Sequence, residues 1–406
     1  MTELVADHGY AGVTVRALVR TSEVSTSAFY RQFPNVEECF ASTYRTILQC
    51  ARGRLVDVSV VGRRKEDRLR AWVWAILGAA AENPHAARLV LVDCYDGGPA
   101  MVREIAAATE EIERQLADSP VALPLPLGRA VVAGVEYAIR AKVLEGREAQ
   151  LPDVADELAD WVVRVAALEP RYGSELRAEG KGVRQVKRGR DPGLAAFAAI
   201  GGDRGRVLAA VAKLSSDGGY WNLSLPAVRR EAGVSRRHFD ALFPNLDHAY
   251  LEAIATVSTA AARAVIAEMD ETSLWPSRVE ELCGRFCDQI ARSPLLRRLA
   301  FVDVFAPGSA GLRCRDRLLS RSARLLRTTQ PPDRASAKVA IDAALAATWR
   351  VFQAEIKATG GPPGVGSASF AAELILAAAG TSTESSVYGE TERTNPRVGG
   401  NGARAR

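Results

Sequence analysis

An all-α chain carrying one helical unit twice is what this sequence predicts, and three observations predict it. Apolar residues recur at three- and four-residue spacing through stretches filled with Ala, Leu, Arg and Glu. No convincing set of alternating strands interrupts them. Shifted by 210 residues, the chain lies on itself, with Gly9-Tyr10 on Gly219-Tyr220, Val24-Ser25 on Val234-Ser235 and Phe33-Pro34-Asn35 on Phe243-Pro244-Asn245. The register runs on without a gap to Pro84, Arg88, Leu89, Val92 and Asp93, which face Pro294, Arg298, Leu299, Val302 and Asp303. Agreement over most of a half predicts a duplicated domain rather than a shared short motif.

Each copy opens with a tri-helical pattern. In the first, Glu3–His8 ends one helix at the Gly9-Tyr10 turn. Thr14 then caps a helix running to about Thr21, and Ser25 caps Thr26–Phe33. Hydroxyls at such positions accept from the unpaired amides of a helix start. Val15, Leu18, Val19, Val24, Phe29 and Phe33 supply the apolar seam, which leaves Thr26, Ser27, Tyr30 and Arg31 on the opposite side. Two short helices joined by a tight turn, the second starting with small polar residues, is the arrangement that lets a helix enter the major groove.

Longer helices are expected at Leu69–Glu82, Ala100–Leu116, Gly128–Glu145 and Val154–Leu168, with breaks at Asn83-Pro84, Gly97-Gly98-Pro99, Ser119-Pro120 and Leu151-Pro152. The second copy breaks at Ser293-Pro294, Pro307-Gly308, Pro331-Pro332 and Gly360-Gly361-Pro362-Pro363. The division expected is therefore a first helix-turn-helix domain over 1–44, a first helical regulatory domain over 45–168, and a linker over 169–203. A second helix-turn-helix domain over 204–254, a second helical domain over 255–380 and a disordered, Gly-, Ser- and Thr-rich tail over 381–406 complete it.

The residues Gly9-Tyr10, Val13-Thr14-Val15, Leu18, Val24-Ser25, Phe29-Tyr30, Phe33 and Asn35 resemble the DNA-binding domain of the tetracycline-repressor (TetR/AcrR) family of bacterial regulators. The resemblance implies two TetR-like units, each a tri-helical reader followed by a larger helical domain that encloses an apolar cavity and dimerises through its last two long helices. It also implies double-stranded DNA as partner, with contacts from Thr14, Arg16, Ser25, Thr26, Ser27, Tyr30 and Arg31 in the first copy. Ser224, Ser235, Arg236, Arg237 and His238 take that part in the second. Repression by blocking a promoter is the family's usual mode.

Both copies depart from the pattern. Glu23 stands where the family usually places a turn glycine and where the second copy has Gly233, so a strained or differently shaped turn is expected. Alignment with Arg204–Gly219 leaves the first copy roughly six residues short at the start of helix one. In the second copy Arg236, Arg237 and His238 replace Thr26, Ser27 and Ala28, and Asp240 replaces Tyr30. A carboxylate there is repelled by phosphate unless Arg236 or Arg237 pairs with it or a cytosine amino group donates to it. Two different reading faces predict an asymmetric operator.

For a small apolar effector the candidates are Trp72, Trp74, Tyr95 and Tyr137, with Phe301, Phe305 and Trp349 in the second copy, although aromatics at helical spacing also bury themselves as core. Asp93 with Arg88, and Asp303 with Arg298, read as a structural ion pair or a helix-end contact. The last helices, Leu127–Arg147 and Val154–Leu168 against Asp333–Ala358 and Phe370–Ala379, are expected to pack as an intramolecular pseudo-dimer, with a dimer of whole chains as the competitor.

Composition excludes several classes. Lys and Arg against Asp and Glu number 19 to 23 over residues 1–168 and 23 to 17 over 204–380, so the second half is the basic one. The run Lys181–Arg190 places five cations in ten residues and reads as a solvated linker or a strip lying along DNA. No uninterrupted apolar run of membrane-spanning length and no signal peptide is seen, and a cytoplasmic location is expected. The six cysteines form no CxxC pair and do not align across the repeat, so buried reduced thiols are expected, with no metal and no cofactor. An enzyme finds little support among four histidines (His8, His85, His238, His248) without an HExxH, a phosphate-binding Gly loop or a Gly-x-Ser-x-Gly elbow. The stronger rival is a helical ligand- or protein-binding protein whose DNA-binding domains have degenerated.

Overall fold

The computed structural model describes residues 1–59, 64–172, 191–267, 269, 273–330 and 338–380. The first half runs α1 (Thr2–His8), α2 (Val15–Ser22), α3 (Thr26–Gln32), α4 (Val36–Ser59), α5 (Lys65–Glu82), α6 (Pro84–Leu91), α7 (Gly98–Asp118), α8 (Leu125–Glu145), α9 (Ala155–Ala166) and the single turn α10 (Glu169–Tyr172). The second runs α11 (Pro192–Ile200), α12 (Gly202–Gly218), α13 (Leu225–Ala232), α14 (Arg236–Leu242), α15 (Leu246–Ala267), α16 (Trp275–Arg292), α17 (Pro294–Arg297), α18 (Ser309–Thr328), α19 (Lys338–Thr359) and α20 (Val365–Ala378). Among the described residues there is no strand, and the fold is all-α. Helices α13, α14 and α16 begin and end one repeat length after α2, α3 and α5.

Two features differ from expectation. The segment read as a linker contains α11, because Asp191 caps it and Pro192 takes its first position, where a missing N–H costs nothing. Asp191 Oδ1 accepts from Gly193 N at 2.7 Å and Ser293 Oγ at 2.6 Å, while Oδ2 accepts from Leu295 N at 3.0 Å. One carboxylate thus holds the starts of α11 and α17 together, and Phe197 is fully buried beneath. The Gly-rich, charged composition of this stretch concealed a short apolar helix. The basic run Lys181–Arg190 and the tail 381–406 lie outside the described residues.

The second difference is in the apolar seam beside the first helix, which is short, as the repeat predicts. With 7 residues against 17 in α12, α1 packs on α6, whereas α12 lies against α13 and α15. Val24 is 44% exposed, while Val234, its counterpart, is buried. The apolar seam expected from Val15 to Phe33 therefore closes at Leu18 and Phe29, is half covered at Val15, Val19 and Phe33, and is open at Val24.

At the centre, α8 lies along α19 in the most extensive helix pairing, with α9 and α20 beside them and α5 and α16 outside. Gly134 permits the close approach: a methyl group there would collide with the Trp161 indole and come 3.1 Å from the Ala343 carbonyl oxygen. Trp161 is fully buried, and its Nε1 donates to Leu374 O at 3.2 Å. Arg164 Nε donates to Ala377 O at 2.6 Å, so α9 grips the last turn of α20 by its backbone. Each Leu, Val or Ile buried in this layer contributes roughly 1.5–3 kcal/mol.

Helix α15 is long and apolar enough, by composition alone, to cross a membrane. Its Tyr250, Ala253, Ile254 and Val257 are instead buried against α11, α12, α16 and α18, which makes it a core helix of this fold.

Candidate nucleic-acid interface

The first reader is built from two capped helices packed on each other. Thr14 Oγ1 accepts from Ala17 N at 3.2 Å, and Ser25 Oγ accepts from Ala28 N at 3.1 Å. Both caps were legible from residue type, since a hydroxyl at this position satisfies an otherwise orphaned amide. Phe29 turns into the core, and its ring meets Tyr30 edge-on at 5.4 Å. Thr26, Ser27, Tyr30 and Arg31 are exposed, as are Thr14 and Arg16 on α2. Thr14 Oγ1 and Ser25 Oγ are thus both engaged by helix-start amides, and Ser25 Oγ also lies 3.0 Å from Ser27 Oγ. Glu23 ends α2 in the left-handed region at φ 57°, the conformation that Gly233 adopts at φ 64°. The turn therefore keeps its shape, and the glutamate carries the strain.

In the second reader Ser224 Oγ accepts from Ala227 N at 3.4 Å and Ser235 Oγ accepts from His238 N at 3.2 Å. Arg236, Arg237, His238 and Asp240 are all exposed on α14. Arg236 Nε lies 3.5 Å from Asp240 Oδ2, one turn apart, so the carboxylate that replaces a tyrosine has a cation beside it. His238 Nδ1 lies 3.1 Å from Asp203 Oδ2 at the start of α12. Among the described residues no carboxylate engages Arg237. Arginine there can grip phosphate, which positions the protein, or the guanine edge, which specifies sequence.

An ion pair recurs at corresponding positions of the two halves, after the Asn83-Pro84 break in the first and the Ser293-Pro294 break in the second. Arg88 Nε meets Asp93 Oδ2 at 3.3 Å, and Arg298 Nε meets Asp303 Oδ2 at 2.6 Å. Burial pushes both carboxyls up, and the neighbouring arginine pulls them down without cancelling the rise. The second pair reaches the reader directly. A methyl group on Gly219 would stand 2.8 Å from Arg298 Nη2, and the Tyr220 backbone bonds Asp303. The Gly219-Tyr220 turn thus sits on the ion pair, and Tyr220 OH donates to Asp247 Oδ1 at 2.7 Å on its other side.

The effector candidates separate. Phe301 and Trp349 stack at 5.7 Å and line a cavity of about 420 Å³ between α15, α16, α18 and α19. Tyr137 bonds Ser320 Oγ at 2.8 Å and lines a groove of about 660 Å³ between α8, α15 and α18. Tyr95 and Phe305 meet across the two halves at 4.9 Å. Trp72 packs in the core, and Trp74 is 42% exposed with Nε1 donating to Asp156 Oδ1 at 3.1 Å, so neither lines these two spaces. Residue type marked the aromatics but not the arginines around both spaces; six arginines within α18 were the available signal.

Five cysteines are buried, whereas Cys50 is exposed, against expectation. Among the described residues no group of three or more His, Cys, Asp and Glu gathers as a metal site.

No curated protein matches the chain. Residues 2–43, from α1 into α4, match the family described as bacterial regulatory proteins, tetR family. That span contains both caps and the exposed α3, so residues 2–43 are similar to the helix-turn-helix domain of tetR-family transcriptional regulators, a type of domain that binds double-stranded DNA.

Proposed function

We propose that the protein is a ligand-responsive repressor that reads an asymmetric operator with two different recognition helices, α3 and α14, carried by one chain. The observation that carries this reading is the shared frame of the two readers: caps, buried phenylalanine and left-handed turn recur at equivalent positions of the repeat while the exposed residues differ. Reciprocal contacts between the halves support an intramolecular pseudo-dimer. Arg140 of α8 reaches Asp316 of α18, and Arg350 of α19 reaches Glu113 of α7. The cavity bounded by Phe301 and Trp349 is the effector site on this reading, and the Arg298–Asp303 pair is its route to the second reader. A chain so arranged works in the cytoplasm, where its DNA is.

Selection from random duplex DNA, followed by binding at several salt concentrations, tests the proposal. An enriched two-part, non-palindromic site with a steep salt slope is expected. A perfect palindrome overturns the asymmetric reading, and a doubled mass in light scattering overturns the single-chain pseudo-dimer. Exposed Val24, strained Glu23 and the Asp240 carboxylate on α14 favour a second reading, in which both DNA-binding domains have degenerated and the protein binds a ligand or another protein. No enrichment at all would select it.

A further inference from the structure

We infer that the cavity of the second half takes an amphipathic anion: an apolar chain joined to a head group of two or more negative charges. The inference rests on the reading of that cavity as the effector site. Its volume of about 420 Å³ lies within the roughly 300–1,000 Å³ of small-molecule sites. The inner wall is apolar, formed by Ile254, Phe286, Phe301 and Trp349. Ile266 and Leu325 belong to the same lining yet stand 45% and 49% exposed, so the apolar surface continues out to the mouth. A chain laid over them would remove that surface from water, at about 25 cal/mol per Å² covered.

The charge lies on the rim. Arg263, Arg321 and Arg324 line the cavity and are exposed, and among the described residues no carboxylate pairs with any of them. Arg315, deeper in, shares a partner with Arg140: its Nε donates to Asp316 Oδ1 at 2.9 Å, and its guanidinium lies 4.8 Å from the Trp349 ring centre. Arg321 and Arg324 also border the groove of about 660 Å³, where Arg313 and Arg317 join them. Spacings of four, four and three residues put Arg313, Arg317, Arg321 and Arg324 on one face of α18. The groove's three acids are already paired, Glu252 with Arg204, Asp316 with Arg140 and Glu145 with Arg147.

A row of neighbouring cations repels itself, and a multiply charged anion relieves several of those repulsions at once, where a lone carboxylate relieves one. One further polar group faces the space without a partner: the buried Ser258 hydroxyl has no hydrogen bond among the described residues. The rim is peculiar to this half. The equivalent positions of the first copy hold Gly53, Glu111 and Arg114 in place of Arg263, Arg321 and Arg324.

Displacement of the neutral dye N-phenyl-1-naphthylamine from the full chain tests this with palmitoyl-coenzyme A, palmitate and coenzyme A. Palmitoyl-coenzyme A is expected to bind at least tenfold tighter than palmitate. The double variant Arg321→Gln/Arg324→Gln is expected to lose that preference while still binding the dye. Equal affinity for palmitate, or a preference untouched by the variant, overturns the inference and leaves the effector site standing. A wild-type chain that takes up neither dye nor palmitate removes the effector site itself.

Discussion

Arg140 on α8 donates through Nε to Oδ2 of Asp316 on α18, a buried contact of 2.7 Å between residues 176 apart in sequence. Its counterpart runs the other way: Arg350, at the equivalent position of the second half, donates to Glu113 Oε1 through Nε at 3.0 Å and Nη2 at 2.8 Å. Each half thus sends an arginine from a central helix to a carboxylate on the other half. Removing one partner of a buried pair costs roughly 3–5 kcal/mol, because the remaining charge is left uncompensated. Asp316 and Glu113 each keep a second arginine, Arg315 and Arg129, so the lower end applies. Arg140→Met and Arg350→Met are each expected to lose about 3 kcal/mol in urea denaturation. Denaturation midpoints unchanged in both variants would mean that the pairs do not hold the halves together.

Acid should weaken the same contact. Burial pushes the Asp316 carboxyl up, but Arg140 and Arg315 outweigh burial and hold it below the usual carboxylate range. A depressed carboxylate adds stability that is present above its unfolded value of about 3.9 and is lost as pH falls through the folded value. The unfolding temperature is expected to drop below about pH 4, and Asp316→Asn should flatten part of that drop. An identical acid slope in the variant would take Asp316 out of the acid response.

The two turns offer a matched comparison. A non-glycine residue in the left-handed region costs about 1 kcal/mol, so Glu23→Gly is expected to stabilise the first reader by up to that amount. Gly233→Ala should destabilise the second by about 1 kcal/mol through the backbone alone, since a methyl group there meets nothing within 4 Å. Thermal unfolding of the two variants reads both signs, and a destabilising Glu23→Gly would show that the carboxylate contributes something the turn geometry hides.

At the centre, Gly134→Ala forces a methyl group into the buried Trp161 and toward the Ala343 carbonyl. Neither neighbour is free to retreat, and overpacking of this kind costs roughly 1–3 kcal/mol. Denaturant midpoints check it. No change would mean that α8 and α19 slide apart at no expense.

DNA contacts should divide by chemistry. Arg237→Ala, which breaks no ion pair among the described residues, is expected to lower the salt slope of binding by about one if it holds a phosphate, and to relax sequence preference at one position if it reads a guanine. Tyr30→Phe and Arg31→Ala on α3 should weaken binding without changing the fold. Full affinity in all three variants would leave the recognition faces of α3 and α14 without a part in binding.

Much of the local structure was legible. Caps at Thr14, Ser25, Ser224 and Ser235, glycine turns, proline breaks and three- and four-residue apolar spacing are short-range signals, each enforced by backbone hydrogen bonding within a few residues. The readers' exposed residues followed, because a seven-residue helix with one buried phenylalanine has only one other side. Helix α11 escaped, since nine residues, one of them Gly193, carry too little periodicity. The exposure of Val24 escaped as well, because it is set by which neighbouring helices close over it.

By itself the sequence determined that the protein is helical, where its turns fall and which side chains the two short helices α3 and α14 leave exposed. Tertiary structure alone decided that Arg140 meets Asp316, that Gly134 admits Trp161, that Trp72 fills core while Trp349 borders a cavity, and that a row of arginines surrounds it. Those outcomes depend on contacts between residues far apart in the chain, fixed by which helix faces close against one another, and residue spacing within one helix carries no record of its distant neighbour.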